Sequence, residues 1–491
     1  MRYSHWSFIA LLGLAAGCSS DGGNNPPPPP PAGGEHLAAV GGIAQRGPAS
    51  TALPVAFTVI ARDSLTPMAG VTVNWTVLSG GGSLDVASSV TGADGKASAT
   101  LTLGAAVGVQ QVLARAPGLN NSDTTTYRVT FSASALGGSG PFLMAEVGIL
   151  PNYGIHDTYV RDGIAFVSAW NEGILIYDVG NGLKGGSPSN PVLIGSTTTN
   201  GGSTHNSWWF HNPNGEKKYL FVGEEGPGQI GVSSSGDIHV LDVSNLASPQ
   251  EVGFYHMSGT PNSAGTHNFW MDEANQILFA AYYNGGVVAI DVSGTLSGDI
   301  SSREIDRFVP QAGSYVWGVQ EDNGSIYLSD MVNGLWQLSF AANTFALAGG
   351  GNNVPERYTS DLWIHNGYAY TGTWGNRGVP GNALKVWQLG VTGSPTLVDS
   401  VKTSSITTVS DVEVTSDGKM IMFGAEGGGN NGFHFYDLAD PSHPTFIASY
   451  LVGTGIHTAT FATIGGRLYA FGAKDPGNPA LEILDVTSLV P

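Results

Sequence analysis

A repeated strand pattern constrains this chain more than any other feature of its sequence. An apolar strand that in most copies carries Asp near its end recurs at 174–179, 238–243, 287–292, 335–340, 384–389, 433–438 and 481–486. Each repeat opens upstream of that strand, at His156, His205, His267, Val316, Ser360, Ser410 and His457. Strand repeats with a period of about fifty residues are typical of β-propellers, in which each repeat forms one four-stranded blade. The sequence therefore predicts a seven-bladed β-propeller over residues 142–491.

The last repeat is too short to form a complete blade by itself. Only Thr487 to Pro491 follow its third strand, and a fourth strand needs more residues. The segment 143–150, with the sequence LMAEVGIL, resembles the fourth strand of an earlier repeat at 249–255. We therefore expect this N-terminal strand to complete the last blade, which closes the ring and removes exposed sheet edges.

Composition supports an all-β fold and excludes some partners. The chain has 71 Gly among 491 residues, 12% charged residues and no sustained helical period, which favours strands joined by tight turns. The formal net charge of −19 repels nucleic acid, so we expect no nucleic-acid partner. The single cysteine, Cys18, cannot form an intrachain disulfide.

The N-terminus has the features of an export signal. Residues 1–17 contain Arg2 followed by an apolar run too short to span a bilayer, and this predicts a signal peptide. The sequence L-A-A-G-C at 14–18 resembles the bacterial lipoprotein signal, which implies a lipid anchor on Cys18 and delivery to the outer membrane. The alternative is a soluble secreted protein whose cysteine has no such role. No other segment is apolar and long enough to be a transmembrane helix.

Two further segments precede the repeats. Residues 18–36 are rich in Pro and Gly and predict a stiff stalk. Residues 37–135 show short alternating strands, a pattern typical of an immunoglobulin-like sandwich, with Asp94-Gly95 as a hairpin turn. The order AGVTVNW, GGGSL, ADGKA and LTLG resembles the bacterial Ig-like domain of intimin and invasin, which implies a rigid spacer. Residues 136–141 are predicted to be a linker.

The repeats also resemble a known family. The strands ILIYDV, IHVLDV and LEILDV are similar to the LVIVD repeat of bacterial and archaeal surface proteins. This resemblance implies a propeller fold and a location at the cell envelope, and it implies no particular reaction.

Blade geometry predicts which side chains share one face. The start of each first strand and the loop between the second and third strands lie at the same end of a blade. The predicted binding face therefore contains His156, Asp157, Trp170, His205, Asn206, Glu224, Glu225, His267, Asn268, Asp361, Trp374, Asp411, Glu426 and His457, with Lys474 beside them. Imidazole and carboxylate groups suit a divalent metal, with His156, His205, His267 and His457 as candidate ligands. The alternative is structural, because Ser360 and Ser410 in the equivalent places suggest hydrogen bonds to neighbouring backbone.

Other polar and aromatic residues are interpreted as structural. The aspartates that end the third strands are predicted to cap turns: Asp178, Asp242, Asp291, Asp437 and Asp485. The strand tryptophans are expected to pack between blades: Trp208, Trp209, Trp270, Trp336 and Trp387. No motif of a known catalytic class is present, so no catalytic residue is predicted.

Three functions remain open from the sequence. The first is a lipid-anchored cell-surface protein whose spacer presents a propeller for adhesion or for recognition of a protein or glycan. The second is a metal-dependent extracytoplasmic enzyme with the histidine cluster as its metal site. The third is an envelope scaffold without catalytic activity.

Overall fold

The chain is described here from a computed structural model. The residues that it describes are 35–43, 45–53, 55–119, 127–136, 140–148, 154–201, 203–226, 236–258, 265–375, 377–390, 393–474 and 479–490. The predicted signal peptide, Cys18 and nearly all of the predicted stalk lie outside these residues. Within them the fold is all-β, with two short 3-10 helices at Ser301–Arg303 and Thr487–Leu489. Neither helix has the length and apolar character needed to cross a membrane.

The N-terminal region, residues 35–136, is built from short strands. They are β1 (Glu35–Gly41), β2 (Arg46–Pro48), β3 (Phe57–Asp63), β4 (Thr66–Pro67), β5 (Thr72–Ser79), β6 (Ser83–Leu84), β7 (Ser88–Val90), β8 (Lys96–Ala99), β9 (Leu101–Thr102), β10 (Gly108–Arg115) and β11 (Arg128–Leu136). One sheet pairs β3 with β1, β4 and β8, and a second has the order β2-β11-β10-β5-β7. Strands β6 and β9 form a separate short pair.

The two main sheets of this region share one apolar core. Phe57 of β3 stacks on Phe131 of β11 with ring centroids 4.6 Å apart, and Trp75 of β5 packs against the same phenylalanine. Alternate residues of each strand supply this core, as expected for sheets with one solvated face. The Asp94-Gly95 turn differs from the prediction: it joins β7 and β8, which belong to different sheets, and so it is not a hairpin.

The second region, residues 142–490, contains the remaining strands. They are β12 (Phe142–Gly148), β13 (Asp157–Arg161), β14 (Ile164–Ser168), β15 (Ile174–Asp178), β16 (Val192–Thr197), β17 (Thr204–Phe210), β18 (Tyr219–Glu224), β19 (Ile238–Asp242), β20 (Gln250–Tyr255), β21 (Phe269–Asp272), β22 (Ile277–Ala281), β23 (Val287–Asp291), β24 (Gly298–Asp299), β25 (Glu304–Phe308), β26 (Val316–Asp322), β27 (Ser325–Asp330), β28 (Gly334–Ala341), β29 (Thr344–Gly350), β30 (Tyr358–His365), β31 (Tyr368–Trp374), β32 (Ala383–Gln388), β33 (Thr396–Lys402), β34 (Thr408–Val414), β35 (Met420–Glu426), β36 (Gly432–Asp437), β37 (Thr445–Leu451), β38 (Thr458–Ile464), β39 (Arg467–Lys474) and β40 (Ala480–Asp485).

These strands form consecutive antiparallel units of four, which we call sheets 1 to 7. Sheet 1 is β13–β16, sheet 2 is β17–β20 with β24 at its edge, and sheet 3 is β21, β22, β23 and β25. Sheets 4, 5 and 6 are β26–β29, β30–β33 and β34–β37, and a short pairing of β31 with β34 joins sheets 5 and 6. Sheet 7 is β38–β40 completed by β12.

The first strands of the sheets contact one another in a cycle. Contacts run from β13 to β17, β21, β26, β30, β34 and β38, and β38 contacts β13 again. An apolar cluster lies between each pair of neighbouring sheets, including sheets 7 and 1. Each sheet therefore buries both of its faces, which explains why its strands are apolar on both sides.

Strand β12 joins the beginning of this region to its end. It pairs with β40 in the antiparallel register that sets Phe142 opposite Asp485 and Gly148 opposite Ala480. The ammonium group of Lys474 on β39 lies 3.0 Å from Glu146 of β12 and 3.6 Å from Glu482 of β40. The sequence placed Lys474 on the binding face, whereas the structure uses it to link the three strands of this edge.

Candidate ligand-binding site

Irregularities at the start of the first strands direct side chains toward the centre of the cycle. The ladder of β17 with β18 shifts around His205, and that of β26 with β27 shifts around Trp317. In sheet 5, Ser360 and Asp361 are left out of the ladder in the same way, as are the equivalent residues of sheet 6. Bulges of this kind re-aim side chains and are frequent beside functional sites.

Glycines on the neighbouring strand make room for these bulges. At Gly372 of β31, a Cβ atom would lie 2.2 Å from the Ser360 hydroxyl oxygen. A larger residue at this position would force the bulge outward. The inward position of the side chains on the bulge therefore depends on glycine here.

The inward side chains form three layers, one residue from each sheet in each layer. The first layer is His156, His205, His267, Trp317, Ser360, Ser410 and His457. The second layer, one residue further along, is Asp157, Asn206, Asn268, Gly318, Asp361, Asp411 and Thr458. The third layer, two residues beyond that, is Tyr159, Trp208, Trp270, Gln320, Trp363, Glu413 and Thr460. The strand period of two sets the second and third layers on the same side of each strand.

A cavity of about 340 Å³ lies at the centre of the cycle. Every residue of the third layer lines it, as does every residue of the second layer except Gly318. From the first layer, the cavity is lined by His156, His267, Trp317, Ser410 and His457. A volume of this size fits a small molecule or the end of a larger ligand.

The first layer contains an arc of aromatic rings that contact one another in tilted or edge-on geometry. The ring centroid of His156 is 4.4 Å from that of His457 and 3.9 Å from that of His205. The arc continues from His205 to His267 at 4.2 Å and from His267 to Trp317 at 3.9 Å. Trp317 was missed by the sequence analysis, which aligned Val316 with the histidines and so was one residue out of register.

Three histidines of this arc, His156, His205 and His267, are buried. Burial, together with the neighbouring imidazoles, holds the pKa values of His156, His205 and His267 well below the usual range. Within the described part of the chain, His205 has no hydrogen-bond partner on either ring nitrogen, and Nδ1 of His156 and of His267 has none. Buried polar atoms are almost always paired, so these nitrogens are available to a further partner.

Two of these histidines converge with a carboxylate. His156, His205 and Glu225 each offer a ligand atom, and these atoms lie within 4.8 Å of one another. The sequence grouped His156 and His205 with His267 and His457 as metal ligands. The structure instead adds Glu225, because its carboxylate approaches Nε2 of His205 to 3.6 Å.

The second layer holds three carboxyl groups. Burial raises the pKa of Asp361 to about 6. Burial and the charge of Asp411 raise the pKa of Asp157 to about 7. The pKa of Asp411 lies well above its usual range because of burial, the charge of Asp361 and the hydrogen bond between the two side chains. Asn268 donates a hydrogen bond of 2.6 Å to Asp361 and thereby orients it.

The third layer combines aromatic rings with one further carboxyl group. The ring centroids of Tyr159 and Trp208 are 5.3 Å apart, those of Trp208 and Trp270 are 5.6 Å apart, and those of Trp270 and Trp363 are 6.2 Å apart. Glu413 of sheet 6 completes the layer, and burial together with the charge of Asp411 raises its pKa to about 8. The sequence analysis placed Trp208 and Trp270 between the sheets; each does pack against an inter-sheet cluster, and both also line the cavity, which was not predicted.

The signal that would have found this layer is positional. Tyr, Trp, Trp, Gln, Trp, Glu and Thr stand three residues after the opening position of successive repeats once the fourth repeat is shifted to Trp317. Trp209, Trp336 and Trp387 do pack between sheets as expected, since each is almost fully buried in an inter-sheet cluster.

The remaining predicted residues lie around the cavity rather than in its wall. Trp170 contacts the His156 ring edge-on at 4.5 Å, and Trp374 contacts Trp317 at 5.1 Å. Glu426 accepts a hydrogen bond of 3.0 Å from His457.

Glu224 has a different role from the one predicted. It pairs with the buried His239, whose pKa is raised despite burial by hydrogen bonds to Glu224 and Glu251. This pair lies within sheet 2, so Glu224 does not contribute to the cavity wall.

The residues interpreted as structural behave as expected. Asp178 accepts backbone hydrogen bonds from Gly180, Asn181 and Lys184. Asp242, Asp291, Asp437 and Asp485 each accept one from the residue two positions further on. The hydroxyl groups of Ser360 and Ser410 donate to the backbone carbonyls of Val409 and Ile456 in the next sheet.

Comparison with known proteins gives a partial assignment. Residues 156–199, 232–257 and 356–377 match the LVIVD repeat. No curated protein sequence matches the chain. Among solved structures, the computationally designed Ika8 protein is similar with a TM-score of 0.44 and 9% identity, over 70% of this chain and 100% of that protein. That likeness is too weak to inform fold or function. The chain therefore contains LVIVD repeats within an all-β fold.

Proposed function

We propose that the protein is a lipid-anchored surface protein that binds a small organic cation in the central cavity of a seven-bladed β-propeller. The cycle of contacts between first strands, and the pairing of β12 with β40, support a closed propeller over residues 142–490. The two-sheet core of residues 35–136 supports a bacterial Ig-like spacer in front of it.

The composition of the cavity wall is the observation that supports a cationic ligand. Four carboxyl groups, on Asp157, Asp361, Asp411 and Glu413, face it, and none of the described residues that line it is Lys or Arg. Arg161, beside Tyr159, is engaged by Glu273, with Nη1 to Oε1 at 2.5 Å and Nη2 to Oε2 at 3.1 Å. A cation is the ligand charge that this wall favours, because buried carboxylates without a counter-charge repel one another.

The aromatic rings of the third layer restrict the ligand class to an organic cation. Tyr159, Trp208, Trp270 and Trp363 expose ring atoms to the cavity. An ammonium group over an aromatic face gains about 2 kcal/mol or more when it is desolvated, and methylated ammonium groups bind in such aromatic cages. A hydrated inorganic ion would gain less from these rings, because its water shell separates it from them.

The cavity is too small for recognition of a folded surface. Stable protein–protein interfaces bury about 800 Å² on each partner. A protein or glycan ligand would therefore enter only through an end group, such as a lysine ammonium or an amino sugar. These groups have the same cationic chemistry as a free alkylammonium compound.

Calorimetric titration of the full-length protein with choline tests the proposal. We expect one bound choline per chain, and binding weaker by at least tenfold for 3,3-dimethylbutan-1-ol, which has the same shape without the charge. The variant Glu413→Gln should lose about 10- to 100-fold in choline affinity, or about 1.4 to 2.8 kcal/mol. Equal affinity for choline and its neutral analogue would refute the cation site.

Two comparisons sharpen this experiment. Trp270→Leu should weaken choline binding about tenfold, whereas Trp336→Leu, between sheets 3 and 4, should change stability more than affinity. Titration with glucosamine and with a short peptide that ends in lysine then identifies the source of the cation. Stronger binding of either one than of choline would support recognition of a glycan or a protein.

The location is tested separately because it depends on residues outside the described part of the chain. If Cys18 carries the anchor, the chain should take up labelled palmitate and sediment with outer membranes. The variant Cys18→Ala should lose the label and appear in the soluble fraction, with its choline affinity unchanged. Palmitate labelling that persists in this variant would contradict the lipid anchor.

A further inference from the structure

We propose that His156, His205 and Glu225 form a binding site for one divalent transition-metal ion, of the class represented by Zn²⁺. Their ligand atoms already lie within 4.8 Å of one another. In a tetrahedral site with bonds of about 2.0 to 2.2 Å, ligand atoms are about 3.3 to 3.6 Å apart. The distance of 3.6 Å between His205 Nε2 and a Glu225 oxygen has that value.

Unpaired nitrogens are the independent sign of a ligand at this place. His205 has 1% of its surface exposed and His156 has 4%. Both nitrogens of His205 and Nδ1 of His156 nevertheless lack a hydrogen-bond partner among the described residues. A buried imidazole without partners loses its hydrogen bonds to water and gains nothing in return, so a ligand that accepts the nitrogen lone pair removes a real cost.

The chemistry of the donor set suits a metal ion. Two imidazoles and a carboxylate are a ligand set found for zinc and iron, and this set leaves one or more positions open.

A second residue orients the carboxylate. The hydroxyl group of Tyr283 donates a hydrogen bond to Glu225. Partners of this kind fix the direction of a metal-binding carboxylate.

Zinc titration of the full-length protein tests the site. The protein is purified in detergent with a histidine-free tag and is treated with a chelator before the titration. We expect one Zn²⁺ per chain with a dissociation constant in the micromolar range or tighter. His205→Gln and Glu225→Gln should each weaken binding at least tenfold. Co²⁺ in the same site should show visible absorption bands that both variants lose.

Matched controls separate this site from other causes. His434→Gln replaces an equally buried histidine whose Nε2 bonds to the Asn430 carbonyl, and it should retain the zinc. Glu413→Gln should retain zinc while losing choline, so that failure of the metal site and failure of the cation site give different results. Glu225→Gln keeps the size of the side chain, so a folded variant remains available even if His205→Gln misfolds.

The outcomes are decisive in both directions. Absence of a one-to-one zinc site tighter than about 100 μM would overturn the proposal and would mean that water satisfies the histidine nitrogens. Zinc binding that survives in both His205→Gln and Glu225→Gln would overturn it as well, because the metal would then lie elsewhere.

Discussion

The buried glutamines of the N-terminal region and the buried histidines of the seven-sheet region differ in how completely their polar atoms are paired. In residues 35–136, the buried side chain of Gln45 bonds to the backbone of Gly42 and Val55, and that of Gln110 bonds to Gly104. In the seven-sheet region, His156 and His205 are equally buried but keep unpaired nitrogens, and Glu413 keeps an elevated pKa. Both regions have well-packed apolar cores.

This difference supports the proposed position of the binding site. A polar group whose hydrogen bonds are complete stabilises its surroundings and needs no ligand. A polar group left incomplete costs stability, and such groups persist where a binding partner completes them. The difference therefore supports the proposals that the N-terminal region serves as a spacer and that the ligand binds at the centre of the seven-sheet region.

The largest expected effect comes from the spacer core. Trp75→Ala removes a nearly buried indole that packs on Phe131 and bonds to Ser89. Loss of a buried tryptophan costs about 3 to 5 kcal/mol, so the spacer should melt at a markedly lower temperature in scanning calorimetry. Choline and zinc affinities should stay within twofold of the unaltered protein.

The N-terminal region and the seven-sheet region are in contact where β2 meets β12. A change in the N-terminal region can therefore reach the cavity through this contact. A tenfold loss of choline affinity in Trp75→Ala, measured below the melting temperature, would show that the spacer shapes the cavity. Leu65→Ala, at an exposed position of the same region, is the control and should change neither quantity.

The second-largest expected effect is a gain in stability when the carboxyl group of Glu413 is removed. Glu413 has a pKa of about 8 when folded, raised from 4.5 mainly by burial and further by Asp411 and Asp157. A carboxyl group with a raised pKa destabilises the fold increasingly as pH rises from its unfolded value to its folded value. At about 1.4 kcal/mol per pKa unit, Glu413→Gln should stabilise the protein by about 1 to 4 kcal/mol at pH 8.

Urea denaturation at several pH values measures this effect. The stability advantage of Glu413→Gln should be smallest near pH 4, grow between about pH 4.5 and 8, and remain constant above. The groups that face Glu413, namely Asp411, Asp157 and Tyr159, stay in place in the variant. An advantage that does not depend on pH would mean that folding leaves the pKa of Glu413 unchanged, which would contradict this account.

The smallest effect concerns the first-layer serines. Ser410 replaces a histidine and donates a hydrogen bond of 3.0 Å to the Ile456 carbonyl of the next sheet. Ser410→Ala should cost about 1 kcal/mol of stability and leave zinc affinity unchanged. Ser442→Ala, on an exposed turn, should stay within about 0.5 kcal/mol. Loss of zinc in Ser410→Ala would contradict a structural role for this position.

The sequence was sufficient to predict the parts of the fold that follow from its repeat period. The third strands ending in Asp178, Asp242 or Asp485 follow from the repeat period and from turn chemistry. The resemblance of 143–150 to a fourth strand also led to the pairing that β12 makes with β40.

The site residues were harder to predict from the sequence, because a bulge changes which residue of a strand faces the cavity. A shift of one residue separates Val316, which packs in a core, from Trp317, which continues the ring arc. Trp208 and Trp387 look alike in the sequence, but only their position along a strand decides which one faces the cavity. Convergence of Glu225 with His205 depends on a loop, and no local spacing encodes it.

Proton release on choline binding tests the central claim most directly. Glu413, with a pKa of about 8, is mostly protonated at pH 7, and a bound cation should ionise it. Calorimetric titration at pH 7 in buffers of different ionisation enthalpy should therefore show a net release of protons as choline binds, from Glu413 together with Asp157 and Asp411. A binding enthalpy that is the same in every buffer would contradict a cation held by the buried carboxyl groups of this cavity.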